Sequence, residues 1–180
     1  MRKVLSESLL TTKAEKSAAI VTSRSTVDVV LALFAFLAKE NAFEGVVLCV
    51  DRPHSFYKEL LESNGIDSSK VTFINVGFKE TGDNVVNIGE NASDLTFMKI
   101  EAVRTAQKIR IARPNAKIFM LNDAVTTLLL YNDEKIVGQF LHDINNKLRE
   151  LNVYALTILE PGERIGTIVK KLADVSVELD

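Results

Sequence analysis

The sequence at residues 118–123 reads IFMLND, which is four apolar residues, one amide and then Asp123. A short, continuous apolar run is typical of a strand in a parallel sheet, because helices cover both faces of such a sheet. We therefore predict a buried strand over residues 117–122, with Asp123 at its carboxyl end.

Further apolar runs lie on both sides of this strand and alternate with segments of helical length. Strands connected in this way pair in parallel through crossover helices. The sequence therefore predicts a three-layer α/β fold: a mainly parallel sheet of at least five strands, with helices on both faces and the strand before Asp123 at its centre. The other predicted strands cover residues 18–22, 46–50, 71–76, 85–88, 153–159 and 175–179, and the predicted helices cover 27–41, 53–64, 94–111, 133–151 and 163–173.

Length and composition set the domain organisation. The chain has 180 residues, of which 47% are apolar and 26% are charged. These values are typical of one soluble globular domain with a substantial core. We expect residues 17–180 to form a single α/β domain and residues 1–16 to form an N-terminal arm or an extra helix.

The balance of charge argues against nucleic acid as a partner. Lys and Arg number 22 and Asp and Glu number 24, so the formal net charge is -2. A chain with this charge balance has no overall positive electrostatic potential that would attract nucleic acid or a membrane surface. A locally basic stretch over residues 99–117 is predicted to be a solvated helix face, because no aromatic residues interleave with its charges.

Hydropathy argues against a membrane segment and for a cytoplasmic location. The longest apolar run, residues 29–38, has ten residues and is too short to span a bilayer. At the N-terminus, Glu7 precedes any long apolar stretch, which argues against a signal peptide.

Cysteine and histidine are scarce, so neither a disulfide framework nor a metal site is predicted. Cys49 is the single cysteine, and its place in an apolar strand predicts a core residue. The two histidines are His54 and His142. His54 is expected to be a solvated residue in the first turn of a helix.

Polar residues follow several of the predicted strands. In an open parallel sheet, ligands bind beyond the carboxyl ends of the strands. The residues at those ends are Ser23, Arg24 and Ser25 after the first strand, Asp51 and Arg52 after the second, Asp123 after the central strand, and Glu160 after the next. They predict either a polar crevice for an anion or nucleotide, or ordinary polar loops. In the second interpretation Ser25 caps the following helix, with Asp28 three residues later.

The run that ends at Asp123 resembles the Walker B strand of RecA-like ATPases of the KaiC and RadA type. In that family an apolar strand ends in Asp and a Thr-rich helix follows, as residues 124–132 follow here. Residues 46–51 resemble the family's second strand, 93–96 the start of the helix before Walker B, and 140–142 part of the helix after it. The resemblance covers residues 17–179 and implies a RecA-like P-loop NTPase core.

The sequence departs from this family where the family binds phosphate. RecA-like ATPases carry Gly-x4-Gly-Lys-Ser/Thr between the first strand and the first helix. Residues 20–28 read IVTSRSTVD here, without glycine or lysine. The five-residue spacing of Gly77 and Gly82 is followed by Asp-Asn, so it is not a displaced phosphate loop. Ala124 stands where the family has a hydroxyl, and Asp51-Arg52 stands where KaiC-type proteins have paired glutamates.

Three functions are consistent with these residues. The first is a non-catalytic, degenerate RecA/KaiC-like domain that acts through protein contacts. The resemblance is to domains common in archaea, some of which accompany signal-transduction modules. The second is an ATPase with an unconventional phosphate loop, in which Asp123 holds Mg²⁺ and Asp51 is the base. The third is an unrelated Rossmann-like binding module.

The first function is preferred, so no cofactor is predicted, and ATP with Mg²⁺ belongs to the second function alone. The candidate anion-binding residues are Ser23, Arg24, Ser25, Thr26 and Asp123, while Asp51 and Asp123 are the candidate catalytic residues. The resemblance also implies a homo-oligomer, because neighbouring subunits of RecA-like assemblies meet near the nucleotide edge.

Overall fold

A computed structural model describes residues 17–89, 93–122, 124–162 and 165–179 of the chain. Within these residues, seven strands form one sheet in the order β4-β3-β2-β5-β6-β1-β7, and every neighbouring pair is parallel. The strands are β1 (Ser17–Thr22), β2 (Glu44–Cys49), β3 (Val71–Val76), β4 (Val85–Ile88), β5 (Ile118–Asn122), β6 (Val153–Leu159) and β7 (Val175–Leu179).

Helices cover both faces of this sheet, which confirms the predicted three-layer α/β architecture. Helices connect most consecutive strands and return the chain to the amino edge of the sheet, as parallel pairing requires, while β3 and β4 are joined by the loop over residues 77–84. The helices are α1 (Thr26–Phe34), α2 (His54–Ser63), α3 (Leu95–Ala112), α4 (Val125–Tyr131), α5 (Glu134–Glu150) and α6 (Gly166–Leu172), with a π-helix at Ala35–Glu40 and a 3₁₀ turn at Ser68–Lys70.

Strand β5 occupies the fourth of the seven positions, which confirms the predicted central strand. All five of its residues are buried, because β2 and β6 flank it and helices lie above and below. The single amide in the run, Asn122, keeps a hydrogen-bond partner there: its Oδ1 accepts from the Ala124 backbone N–H at 3.3 Å.

Two apolar cores lie on opposite faces of the sheet. Strand residues of one parity pack against α1, the π-helix and α2, while residues of the other parity pack against α3 to α6. On the first face, the ring of Phe119 meets Phe34 edge-on at 5.2 Å between centroids. Gly45 makes this packing fit, since a Cβ at that position would lie 2.9 Å from Phe119 Cζ.

The helix predicted over residues 27–41 is α-helical only in its first part. From Ala35 the chain continues as a π-helix to Glu40. The side-chain amide of Asn41 donates to the Phe36 carbonyl oxygen at 2.7 Å, and Ala42 takes a positive φ of 56°. The amide therefore satisfies a helix-end carbonyl, and the left-handed Ala42 turns the chain toward β2.

Four of the six basic residues in the stretch over residues 99–117 are exposed, as the sequence predicted, whereas Lys99 and Arg110 are half-buried. Arg110 donates to four backbone carbonyl oxygens, those of Pro114, Ala116, Leu151 and Asn152, at 2.7–3.2 Å. The other contacts of the stretch are ion pairs of Lys99 with Asp143, Arg104 with Glu101 and Arg113 with Glu44, and Lys117 over the Phe43 ring. Lys99, Arg110 and Arg113 therefore connect α3 and the turn after it to other elements, whereas the Arg104 pair lies within α3.

Across the described parts of the chain, no helix has the length and apolar character needed to span a membrane.

Candidate functional site

The junction between β1 and α1 places four of the predicted site residues together. Strand β1 ends at Thr22 and α1 begins at Thr26, so only three residues, all exposed, connect them. The Arg24 backbone N–H donates to Thr22 Oγ1 at 3.0 Å, which closes the turn tightly after the strand. The connection is thus a short turn made of Ser23, Arg24 and Ser25.

Ser25 occupies the N-cap position of α1, but the prediction that its side chain caps the helix is wrong. The Ser25 side chain makes no capping hydrogen bond. Instead, its carbonyl oxygen accepts from the backbone N–H groups of Asp28 at 3.0 Å and Val29 at 3.2 Å. Because the Asp28 N–H is already bonded to this carbonyl, the hydroxyl is not needed for it.

Of the two candidate catalytic residues, Asp51 does not join this cluster. Asp51 is exposed just after β2, and β2 lies three strands from β1, which is about 14 Å at the usual spacing between strands. Asp123 lies outside the residues that the structure describes. Its neighbour Asn122 ends β5, two strands or about 10 Å from β1.

Sequence reasoning missed a second polar cluster at the same edge of the sheet, beyond β3 and β4. His54 is 8% exposed, so the expectation of a solvated histidine is wrong. Its backbone N–H donates to Asn75 Oδ1 at 3.0 Å, and Asn75 Nδ2 donates to Asn87 Oδ1 at 3.2 Å. The signal in the sequence was Asn75 itself, an amide inside a strand that was predicted to be buried, and the structure buries it fully.

Glu80 joins the loop after β3 to the start of α2. Its carboxylate accepts from the Ser55 backbone N–H at 3.2 Å and the Ser55 hydroxyl at 2.8 Å, and it pairs with His54 Nδ1 at 2.5 Å. The N-cap residue of α2 is Pro53, which makes no side-chain capping bond. Glu80 therefore caps α2 from a distant loop, and its negative charge suits a helix N-terminus.

These contacts shift the titration of Glu80. Burial acts to raise the pKa of Glu80, but hydrogen bonds from Ser55 and the neighbouring His54 outweigh burial and hold that pKa below its ordinary value of 4.5. A carboxyl group with a lower pKa in the folded state stabilises the fold above its unfolded pKa. That stabilisation is lost as the pH falls through the folded pKa.

We therefore predict that Glu80→Gln makes the protein less stable than wild type at pH 7, and that this difference shrinks below about pH 4.5. Urea unfolding of both proteins between pH 7 and pH 3 measures it. The exposed Glu59, on the same helix α2, provides the control Glu59→Gln, whose difference from wild type should change little with pH. A Glu80→Gln difference that stays constant down to pH 3 would contradict this role.

The edge as a whole offers hydroxyl groups and one arginine at the end of β1, and a hydrogen-bonded histidine–carboxylate pair beyond β3. Ser23, Arg24 and Ser25 are chemically able to contact a single anion. Among the described residues, no group of three or more His, Cys, Asp or Glu side chains is placed to hold a metal ion.

Comparison with known structures supports the fold. The chain is similar to a KaiC-like protein from the hyperthermophilic archaeon Pyrococcus horikoshii OT3, with a TM-score of 0.64 and 18% sequence identity. The similarity covers 92% of this chain and 74% of that one. At this identity the likeness concerns the fold, which is the three-layer KaiC-like, RecA-type fold.

Comparison of sequences shows the family. No curated protein matches this sequence. The profile of a family of unknown function, DUF7504, matches residues 16–179, which is nearly the whole chain. The chain therefore belongs to the family of unknown function DUF7504, and it has a KaiC-like, RecA-type fold.

Proposed function

We propose that residues 17–180 form a single degenerate KaiC-like domain, of archaeal type, that has no catalytic activity and acts through protein contacts, in regulation or signalling. The observation that carries this proposal is the connection from β1 to α1. It consists of Ser23, Arg24 and Ser25 alone, where an NTPase of this fold has a glycine-rich loop and a lysine.

The short connection argues against tight binding of a nucleoside triphosphate. A phosphate loop works because its glycines let several backbone N–H groups point at the phosphates while the lysine neutralises their charge. Three residues cannot form that loop, and the Arg24 N–H is already bonded to Thr22 Oγ1. The β and γ phosphates would therefore lose most of their electrostatic support.

Exposed apolar side chains support a role in protein contacts. Phe97 on α3, Leu130 and Tyr131 on α4, and Ile136 on α5 are 41–75% exposed on one layer of the molecule. Large apolar residues grouped on a surface often mark interaction sites. We propose that these exposed side chains contact a protein. That protein could be a second copy of the chain, as in RecA-like assemblies.

Titration with Mg-ATP tests this function. We expect no ATP affinity tighter than about 1 mM, which corresponds to roughly -4 kcal/mol, and no release of phosphate. At 1 mM ATP, the melting temperature should stay nearly unchanged. A site with a Kd of about 1 μM would instead add about 4 kcal/mol under these conditions, and so raise Tm by roughly 8–16 °C.

The variants Arg24→Ala and Asp123→Asn separate this proposal from an ATPase with an unconventional phosphate loop. Under our proposal, neither variant changes calorimetric titration with Mg-ATP, because wild type binds none at micromolar levels. If wild type binds Mg-ATP at micromolar levels and either substitution abolishes that binding, the ATPase is favoured and the non-catalytic assignment is overturned.

A further inference from the structure

Large apolar side chains are exposed on one layer of the molecule, the layer of α3 to α6. Among the residues that the structure describes, the exposed large apolar side chains all belong to this layer and are 41–80% exposed: Phe97, Ile100 and Ile111 on α3, Leu130 and Tyr131 on α4, and Ile136 on α5. At about 200 Å² for a side chain of this size, they expose roughly 700 Å² of apolar surface. A stable dimer buries about 800 Å² on each copy. This layer therefore has nearly the apolar area that a dimer interface needs.

The outer side of α3 presents five exposed residues in one row. They follow one another at intervals of three, four, three and four positions, which keeps them on one face of the helix: Phe97, Ile100, Arg104, Gln107 and Ile111. Three of the five also line a groove of about 720 Å³ between α3 and α5. A row with this spacing is the kind that packs against another helix in a coiled coil. We call these five residues the α3 row.

The charges in and beside the α3 row are paired within the chain. Each cation that lines the groove has a carboxylate oxygen within 3.2 Å, and the pairs are Lys99–Asp143, Arg104–Glu101 and Lys147–Glu150. A surface with both signs in balance attracts neither a polyanion nor a protein surface of strong single charge. It does not repel a second copy of itself, which carries the same balance.

Building on the role in protein contacts proposed above, we propose that two copies of this chain associate through the α3 row, with the two α3 helices antiparallel. The register that matches apolar positions places Ile100 of each copy opposite Ile111 of the other. Arg104 then lies opposite Gln107, whose side-chain oxygen is able to accept from the guanidinium. The same residues serve on both copies, as two-fold symmetry requires.

The antiparallel direction follows from where the row is polar. Arg104 and Gln107 lie in the middle of the row, and apolar residues lie on both sides of them. A parallel two-fold pair would put Arg104 against the same arginine of the other copy, and like charges opposite each other are unfavourable. Reversing one helix removes that contact and brings the apolar ends of the two rows together.

Sedimentation equilibrium of the full chain tests the association. We expect wild type at about 100 μM to have twice the 19.9 kDa mass of the chain. Ile100→Glu places a charge in the interface on both copies, so it should raise the dimer Kd at least about hundredfold. Because Ile100 is 52% exposed, circular dichroism of this variant should match that of wild type.

Ser63→Glu is the matched control, because it adds the same charge at an exposed position of α2, in the opposite layer, and should leave the Kd unchanged. A wild-type chain that is monomeric at about 100 μM would overturn the association. An Ile100→Glu variant that dimerises as tightly as Ser63→Glu would overturn the place assigned to the interface.

Interchain disulfide formation tests the register. When Ile100→Cys and Ile111→Cys chains are mixed and mildly oxidised, the bond that joins the two variants should form at least about tenfold faster than a bond between two identical chains. Native Cys49 is buried and should not react. Mass spectrometry distinguishes the products. Equal rates, a faster bond between identical chains, or no bond would each overturn the antiparallel pairing.

These outcomes are separate from those of the Mg-ATP titration. A monomer that binds no Mg-ATP would overturn the dimer and leave the non-catalytic assignment in place. A dimer that binds Mg-ATP at micromolar levels would do the reverse.

Discussion

Replacing Phe119 by alanine is expected to lower the free energy of unfolding by about 3–5 kcal/mol, which is the usual cost of removing a fully buried phenylalanine. Phe119 lies on the central strand β5 with no exposed surface, and its ring contacts Phe34 and Phe43 at centroid distances of 5.2 and 6.4 Å. Gly45, beside it, has no side chain that could move into the cavity. For a chain of this length, the corresponding fall in Tm is roughly 6–20 °C.

Urea unfolding measures this loss, and two further variants give it a sharp control. Phe97→Ala removes the same side chain from a position that is 41% exposed and should cost less than about 1 kcal/mol. Gly45→Ala alone should destabilise, because its Cβ would lie 2.9 Å from Phe119 Cζ. In the Phe119→Ala background the clash with Phe119 is gone and only the 3.3 Å approach to Phe34 Cε1 remains, so the double variant should lose less than the sum of the two costs. Additive costs would contradict the packing described for this face.

Arg110→Ala is expected to lower the free energy of unfolding by about 2–3 kcal/mol, close to one or two hydrogen bonds from a charged group. The Arg110 guanidinium donates to two carbonyl oxygens in the segment between α3 and β5 and to two in the turn between α5 and β6. It therefore holds the entries to β5 and β6 together. The loss is smaller than four full bonds because the released carbonyls regain water.

Thermal and urea unfolding of matched variants test this role. Arg110→Lys keeps the charge but not the planar fork of donors, so it should recover only part of the stability. Lys108→Ala, at an exposed position on the same helix, should change stability by less than about 0.5 kcal/mol. A loss at Arg110→Ala no larger than the loss at Lys108→Ala would show that the four bonds contribute little.

The sequence by itself determined the layers and the strands. The bounds predicted for β3, β4, β6 and β7 agree with the structure, because a strand buried on both faces needs a continuous apolar run and short runs of this kind are visible locally. The central place of the strand before Asp123 was also predicted. The helix predicted over residues 53–64 also agrees with α2 to within one residue at each end, and Gly65, which follows it, has a φ of 66° that favours glycine.

The candidate site was predictable only in part. Ser23, Arg24, Ser25 and Thr26 are adjacent in the sequence and remain together in the structure, whereas Asp51 lies three strands away from them. The role predicted for Asp123 stays a prediction, because that residue lies outside the described chain.

Only the tertiary structure decided which distant groups meet. Glu80 caps α2 across a separation of 25 residues from Ser55, and Arg110 reaches carbonyl oxygens up to 42 residues away. From sequence alone, a polar side chain is predicted to be solvated unless its hydrogen-bond partner is known. The partners of Glu80 and Arg110 belong to other elements of the fold. Pairing of this kind depends on strand order and helix placement, which local periodicity does not contain.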